Sequence, residues 1–433
     1  MRIAWIGPMP NETGGATGVA TQLLLELANY NIEIDCFFPG SASQLPPSLT
    51  HLSNVNFYCQ PSSWEWDRWY SRNRLMCFVT GQIANYRCED RLAKRLLALH
   101  QERPYDLVYQ FSHIELSILR KFVKQLPPII LHPSVHAAGE LRWHRRETAI
   151  SRQSESSFRR IGARLMLTMR SAIQRRHIRY PRHVISISKN FRDDLAVDYR
   201  VPAQKMTVIP NPIDTARFAP GPSVDTHKRE RLVFLFVSRI AVRKGVEMMV
   251  ELSHRLDDIS DRVQIQVIGD KSLWSDYTAL LRQLNPNVAV FIGKVQGAGA
   301  NMVDRYHCAD ALIQPSHYEP FGLTVGEALA CGLPVITSDK VGAAEEVNPD
   351  CCRVFAMGNL DEMERRVRTL VQELQNPTRQ RQLGELARHE AERLFHCSVV
   401  AADLVACFQR IAGHAPTYPS THQQAQARMN IGV

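Results

Sequence analysis

Ala311-Leu-Ile-Gln-Pro-Ser316-His-Tyr-Glu319-Pro-Phe-Gly322-Leu-Thr-Val-Gly-Glu327-Ala-Leu-Ala-Cys-Gly332-Leu-Pro-Val-Ile-Thr337 is the stretch on which the fold turns. It reads as an apolar strand ending at Ser316, a glycine-bearing loop, a helix from Leu323 to a cap at Gly332, and a second apolar strand from Pro334. Strand, helix and strand in that order predict a parallel sheet with helices on its faces. The loop and helix carry two carboxylates, Glu319 and Glu327, placed to accept hydrogen bonds from hydroxyls at two ends of one ligand. The amides of Phe321, Gly322 and Leu323 stand at the helix start, where phosphate binds.

The same alternation extends in both directions. Strands are expected at residues 2–7, 32–38, 54–60, 106–111, 128–132 and 183–188, and again at 232–239, 263–270, 288–295, 311–316 and 334–339. Amphipathic segments such as 19–28 and 246–256 lie between them. Two such series predict an α/β chain of two doubly wound, Rossmann-like domains. The proline-rich Val208-Ile-Pro-Asn-Pro-Ile-Asp214 and the polar stretch after it mark the boundary. We therefore expect a first domain over 1–210, a second over 211–394, a helix at 395–414 leaning back on the first, and a polar tail at 415–433.

Composition narrows the function classes. The 433 residues are 45% hydrophobic and 22% charged, as in an ordinary globular protein. No run of apolar residues is long enough to span a bilayer, and the N-terminus leads straight into a strand, so a cytoplasmic location is expected. The ten cysteines have no metal-ligand spacing and read as reduced thiols. The net charge of +9 is concentrated: from Arg142 to Arg182 stand twelve arginines, no lysine and two acids. That run is either a solvated helical face or a surface for an anionic partner such as membrane lipid. No nucleic-acid motif accompanies it, and no nucleic-acid partner is expected. The aromatic segment Trp64-Glu-Trp66-Asp-Arg-Trp69-Tyr70 reads either as core packing or as a face for sugar or lipid.

Two further clusters carry chemistry. After the first strand comes Gly14-Gly15, then a helix, which lets backbone approach a ligand at a helix N-terminus. The spacing fits neither a Walker A loop nor a dinucleotide fingerprint. The second domain opens with Phe234-Leu-Phe-Val-Ser-Arg239-Ile-Ala-Val-Arg-Lys244-Gly245. Two cations at the carboxyl end of a first strand stand where such sheets bind ligands, and can neutralise a diphosphate without a metal. There is no Asp-x-Asp pair to hold a divalent ion.

Glu319-x7-Glu327 around Pro-Phe-Gly, Arg239 with Lys244-Gly245, Pro210-Asn-Pro-Ile-Asp214, Ile268-Gly-Asp270, Phe291-Ile-Gly293 and Gly14-Gly15 occur in one order. Together they resemble the family-four group of retaining glycosyltransferases with the GT-B architecture, two Rossmann-like domains facing a cleft. The resemblance implies a metal-independent enzyme that takes a UDP- or GDP-sugar donor and glycosylates a glycan or lipid-linked acceptor. It implies that Glu319 contacts the donor sugar near the reacting carbon, Glu327 the ribose, and Arg239 and Lys244 the diphosphate. Phe321, Gly322, Leu323 and Thr324 would add backbone donors, and Gly15 would let the first loop close over the diphosphate. Ala343 stands where relatives carry a second glycine. A cleft histidine is also implied, with His132 and His136 competing; His136 is preferred because His, small residues and Gly139 lead into a basic helix. A sugar-nucleotide epimerase and a non-catalytic nucleotide-sugar-binding paralogue are the rival readings.

Overall fold

A strand buried on both faces has no polar side to show, and β1 (Arg2–Ile6) and β8 (Leu232–Val237) are such strands. Ile3, Trp5, Phe234, Leu235 and Phe236 are fully buried, each worth ~1.5–3 kcal/mol over exposure. These strands seed the two sheets of the computed structural model, which describes residues 1–12, 14–61, 74–114, 119–147, 150, 152, 156–221, 230–271, 277–295 and 300–414. The aromatic segment at 64–70, the tail at 415–433 and several positions between 148 and 155 lie outside the described residues.

The first half runs β1, α1 (Gly15–Leu27), β2 (Glu33–Pro39), β3 (Val55–Gln60), α2 (Arg74–Glu102), β4 (Leu107–Ser112), α3 (Leu119–Phe122), β5 (Ile129–Pro133), α4 (Ala137–Arg146), α5 (Ser157–His177), β6 (His183–Ser186), α6 (Lys189–Tyr199) and β7 (Met206–Val208). The second runs β8, α7 (Val246–Arg255), β9 (Val263–Ile268), β10 (Ala289–Gly293), α8 (Ala300–His307), β11 (Ala311–Gln314), α9 (Leu323–Ala330), β12 (Val335–Ser338), β13 (Cys352–Phe355), α10 (Leu360–Leu374), α11 (Pro377–Phe395) and α12 (Cys397–Ala412).

Both sheets are parallel and doubly wound, in the orders β3-β2-β1-β4-β5-β6-β7 and β10-β9-β8-β11-β12-β13. Strand order therefore reverses between β1 and β4 and between β8 and β11, and each reversal opens a crevice at the strands' carboxyl ends. Two strands, β7 and β13, fall outside the expected set. Val208, expected to begin the linker, instead ends β7, paired to Ser186 of β6. Three residues are too few to display a period of two, so only pairing reveals that strand. Helix α9 ends at Ala330, with Gly332 left-handed beyond its Cys331 cap.

The chain finishes on the domain where it began. Val400, Leu404, Val405 and Phe408 of α12 share a core with Ile3, Trp5 and Leu23, and Phe408 meets Tyr109 edge-on, 5.0 Å between centroids. Another core crosses from one sheet's layer to the other's, joining Ile187 and Phe191 to Phe321, Val325 and Val341. No helix among the described residues is long and apolar enough to cross a membrane.

Candidate active site

Arg239 follows β8 and Glu319 follows β11, so the second sheet's reversal brings them to one crevice. Between them the chain makes a tight turn, Val242–Lys244, closed by Gly245 at a φ of 75°. A side chain there would be strained, and its Cβ would stand 2.1 Å from the Pro315 carbonyl. Only glycine lets the Lys244 turn lie against the Glu319 loop. The Lys244 ammonium consequently contacts the Glu319 carboxylate. Burial, with Arg243 and Arg239 nearby, pushes the Lys244 ammonium below its usual range; the Glu319 contact opposes that shift.

A cavity of about 680 Å³ opens over the ends of β8, β9 and β10, lined by Arg239, Asp270, Lys271, Lys294, Met302 and Thr324 among others. Arg239 is exposed and forms no ion pair among the described residues. At the cavity's other wall α9 begins, with Gly322 left-handed at its N-cap, φ 101°. The amides of Gly322, Leu323 and Thr324 have no acceptor among the described residues. Free amides at a helix N-terminus facing guanidinium and ammonium groups make an anion site. The Phe321 side chain is not part of it: it is 3% exposed and packs edge-on against Phe395.

A smaller cavity of about 220 Å³ adjoins the first through Met302 and lies between the domains. Gly14, Gly15, Gly18 and Gln22 form its first-domain wall; Asp214, Arg217, Leu323 and Glu327 form the other. Gly14 and Gly15 have φ of 59° and 64° with nothing within 4 Å of an added Cβ. Glu327 accepts a hydrogen bond from the Tyr306 hydroxyl at 2.9 Å. Burial raises its pKa, while the Tyr306 bond and the Arg217 charge oppose the rise. The carboxylate keeps lone pairs free for ligand hydroxyls.

The histidines are placed differently from what the resemblance implies. His136 caps α4 and is fully buried. Its Nε2 lies 2.7 Å from an Asp198 oxygen, and its Nδ1 2.6 Å from the Tyr318 hydroxyl. A carboxylate only accepts, so Nε2 carries a proton toward Asp198, and Nδ1 is bonded to the Tyr318 hydroxyl. Both nitrogens are spent, and His136 lines neither cavity, although Tyr318 is the neighbour of Glu319. His132 is also buried, its Nδ1 2.5 Å from the Tyr109 hydroxyl, and burial holds its pKa down at about 3. Neither histidine reaches the cleft's open volume.

Around His136 the domains are fastened. Trp143 stacks on His317, 5.1 Å and 14° apart. The Ser188 hydroxyl donates to the Pro320 carbonyl at 2.7 Å, and Glu345 accepts from the Lys189 and Asn190 amides at 2.7 Å, capping α6 from the opposite domain. Gly342 makes this possible, since a Cβ would meet Pro320 O at 2.3 Å and Ser188 at 2.4 Å. The Ala343 amide donates to Phe321 O at 2.8 Å, so that loop serves the interface.

Gly15, Leu323 and Glu327 thus share one cavity, Arg239 and Thr324 the next, with the Lys244–Glu319 pair on the β8 and β11 loops. Arg217, Lys271, Lys294 and Tyr306 also belong to this cleft, although sequence reasoning does not single them out. Arg217 had a signal, because its amide donates to Asp214 of the proline motif at 2.9 Å. The lysines follow the Ile268-Gly-Asp270 and Phe291-Ile-Gly293 runs by one residue each. Tyr306 had none.

The chain's similarities agree with this architecture. Residues 13–217 match the model of glycosyltransferase family 4, and residues 223–390 that of the glycosyl transferases group 1. A probable transglycosylase of Burkholderia thailandensis is 31% identical over 54% of this chain, a match spanning 64% of that relative. A D-inositol 3-phosphate glycosyltransferase of Geodermatophilus obscurus is 24% identical over 81% of this chain and 76% of its own length. Among solved structures, HepE of Anabaena in complex with UDP has a TM-score of 0.63 at 17% identity, covering 95% of this chain and 100% of that one. Sucrose-phosphate synthase of Thermosynechococcus elongatus has a TM-score of 0.67 at 18% identity, covering 95% and 98%. Two doubly wound sheets, a cleft between them and a family match to each half lead to one conclusion: the chain belongs to the group 1 glycosyltransferases and has the GT-B fold.

Proposed function

We propose that this glycosyltransferase moves a sugar from a UDP- or GDP-sugar, with retention of configuration and without a metal, to a glycan or lipid-linked acceptor. The observation that carries the reading is that unpaired Arg239 shares a cavity with Thr324, at the start of a helix whose first amides, Gly322, Leu323 and Thr324, have no acceptor among the described residues. Breaking the anomeric C–O bond leaves positive charge on the sugar and negative charge on the diphosphate. Fixed donors aimed at the departing phosphate lower that barrier, and in many enzymes such electrostatic stabilisation outweighs every other catalytic effect. Arg239 clamps phosphate oxygens, and Lys244 supplies a point charge while holding Glu319 in place. Glu319 then positions the donor sugar through its hydroxyls, and Glu327, in the adjoining cavity, takes the ribose hydroxyls. The leaving phosphate accepts the acceptor's proton on the same face, so no side chain becomes covalently bound.

HepE, a fold neighbour, is seen with UDP-glucose, which makes UDP-sugars the first donors to try. The run from Arg142 to Arg182 supports peripheral attachment to an anionic membrane at the cytoplasmic face. A thermal-shift screen against nucleotide-sugars tests the donor class. A true donor at a hundred times its Kd should add about 2.7 kcal/mol of stability, and turnover with it should survive EDTA. No stabilisation by any nucleotide-sugar would overturn the reading, as would a covalent sugar trapped on Glu319→Gln.

A further inference from the structure

Helix α5 has its polarity inverted. Its buried positions include Ala163, Leu167, Gln174 and His177, and its seat on α4 is a small cluster of Ala137, Leu141 and Leu167. Its solvent side carries Phe158, Ile161, Leu165, Met169 and Ile173, exposed by 85%, 65%, 62%, 53% and 42%. Spaced by three or four residues, they fall within an arc of about 120° at the helical period. A single exposed leucine needs no explanation; a continuous apolar stripe facing water does.

The charges of the same helix say what covers the stripe. Ser157–His177 holds six arginines, at 159, 160, 164, 170, 175 and 176, and no acid. Arg164 and Arg175 each donate to a backbone carbonyl, of His144 and Asp198. A second copy of the chain laid on this stripe would bring its own six arginines against these. An anionic lipid leaflet satisfies both features, taking the apolar side chains at the headgroup–acyl boundary and the guanidiniums among its phosphates.

We propose that α5 is an in-plane docking helix, seating the first domain on an anionic membrane through Phe158, Ile161, Leu165, Met169 and Ile173 with its arginines on the headgroups. This deepens the membrane part of the functional reading and is independent of the donor, whose binding is measured without lipid. Because α5 rests on α4, which carries His136 at its start and Trp143 against His317, docking would hold one wall of the cleft at the bilayer.

The test is flotation of the full chain with phosphatidylcholine vesicles, with and without phosphatidylglycerol, beside a Leu165→Ser/Met169→Ser double variant. Both positions are exposed, so the variant should keep the parent's melting temperature. The proposal expects flotation only with the anionic lipid and at least ~tenfold weaker partitioning of the variant. A Phe158→Trp variant should gain blue-shifted emission, relative to the unsubstituted protein, that bromine-labelled acyl chains quench. Anionic-lipid binding that the double variant leaves intact would overturn the apolar docking while leaving the arginine contact standing. No flotation would overturn both. A dimer in light scattering that the double variant dissociates would assign the stripe to a second copy and overturn the proposal too.

Discussion

The two edges of the interdomain cleft are built on opposite principles. On one edge, α4 and α6 meet the 317–322 and 339–346 loops, and polar groups find partners from the other domain: His136 with Tyr318, Ser188 with Pro320, Glu345 with the start of α6. On the other edge, Arg239 and the α9 amides face open cavities with no partner among the described residues. Satisfied groups hold a geometry, whereas unsatisfied ones in a water-accessible crevice are available to a ligand. Fastening one edge is what lets the other present fixed, unspent charges to a substrate.

The strongest test of that contrast is Arg239→Ala. It should lower kcat/KM by about 10²–10³ yet leave the melting temperature unchanged, because the guanidinium has nothing to lose in the free enzyme. Unaltered turnover would show that the open edge is not where charge is handled.

His136→Ala probes the fastened edge. It leaves Asp198 and Tyr318 without their bond, at a cost of about 2–3 kcal/mol, and should lower the urea midpoint even without donor. Turnover that collapses at unchanged stability would instead return His136 to the substrate role its family resemblance implies.

Glu147 tests how tightly that edge excludes water. It sits at the end of α4, 3.4 Å from the Tyr277 hydroxyl of the second domain. Burial raises its pKa from 4.5 to about 7, with the charge of Arg243 opposing and that of Glu247 assisting. The folded state therefore binds the proton more tightly than the unfolded chain, and stability declines as pH climbs from 4.5 to 7. Glu147→Gln should accordingly stabilise by about 1–2 kcal/mol above pH 7 and add nothing below 4.5. Equal melting curves for the two proteins across that range would mean that water reaches the carboxylate. Ser188→Ala should have the smallest effect, about 1 kcal/mol for one buried bond across the interface, read as a lower melting temperature with KM for donor little changed.

Much of this is legible in the chain itself. The mainly apolar runs that form β1, β4, β8 and β11 read as buried parallel strands. The glycines at 245 and 322 mark turns that no other residue would make. Less legible is β13, whose four residues include the buried Arg353, neutralised by Glu373 at 2.8 Å. Its polarity hides the strand until the partner, twenty residues on, is known.

By itself the sequence determined the alternation of strand and helix, the two-domain layout and the family, because these follow from local periodicity and from motifs contiguous in the chain. Tertiary structure alone decided what each polar side chain does. His136 and His132 are alike in sequence terms, yet partners 62 and 182 residues away occupy both nitrogens of His136, while burial and a partner 23 residues away withdraw His132. Tyr306 joined Glu327 through packing between α8 and α9 that no spacing encodes, and the packing of α5 on α4 left its apolar stripe facing outward. A side chain's chemistry depends on which distant groups desolvate it or bond it, and only the folded chain brings those groups together.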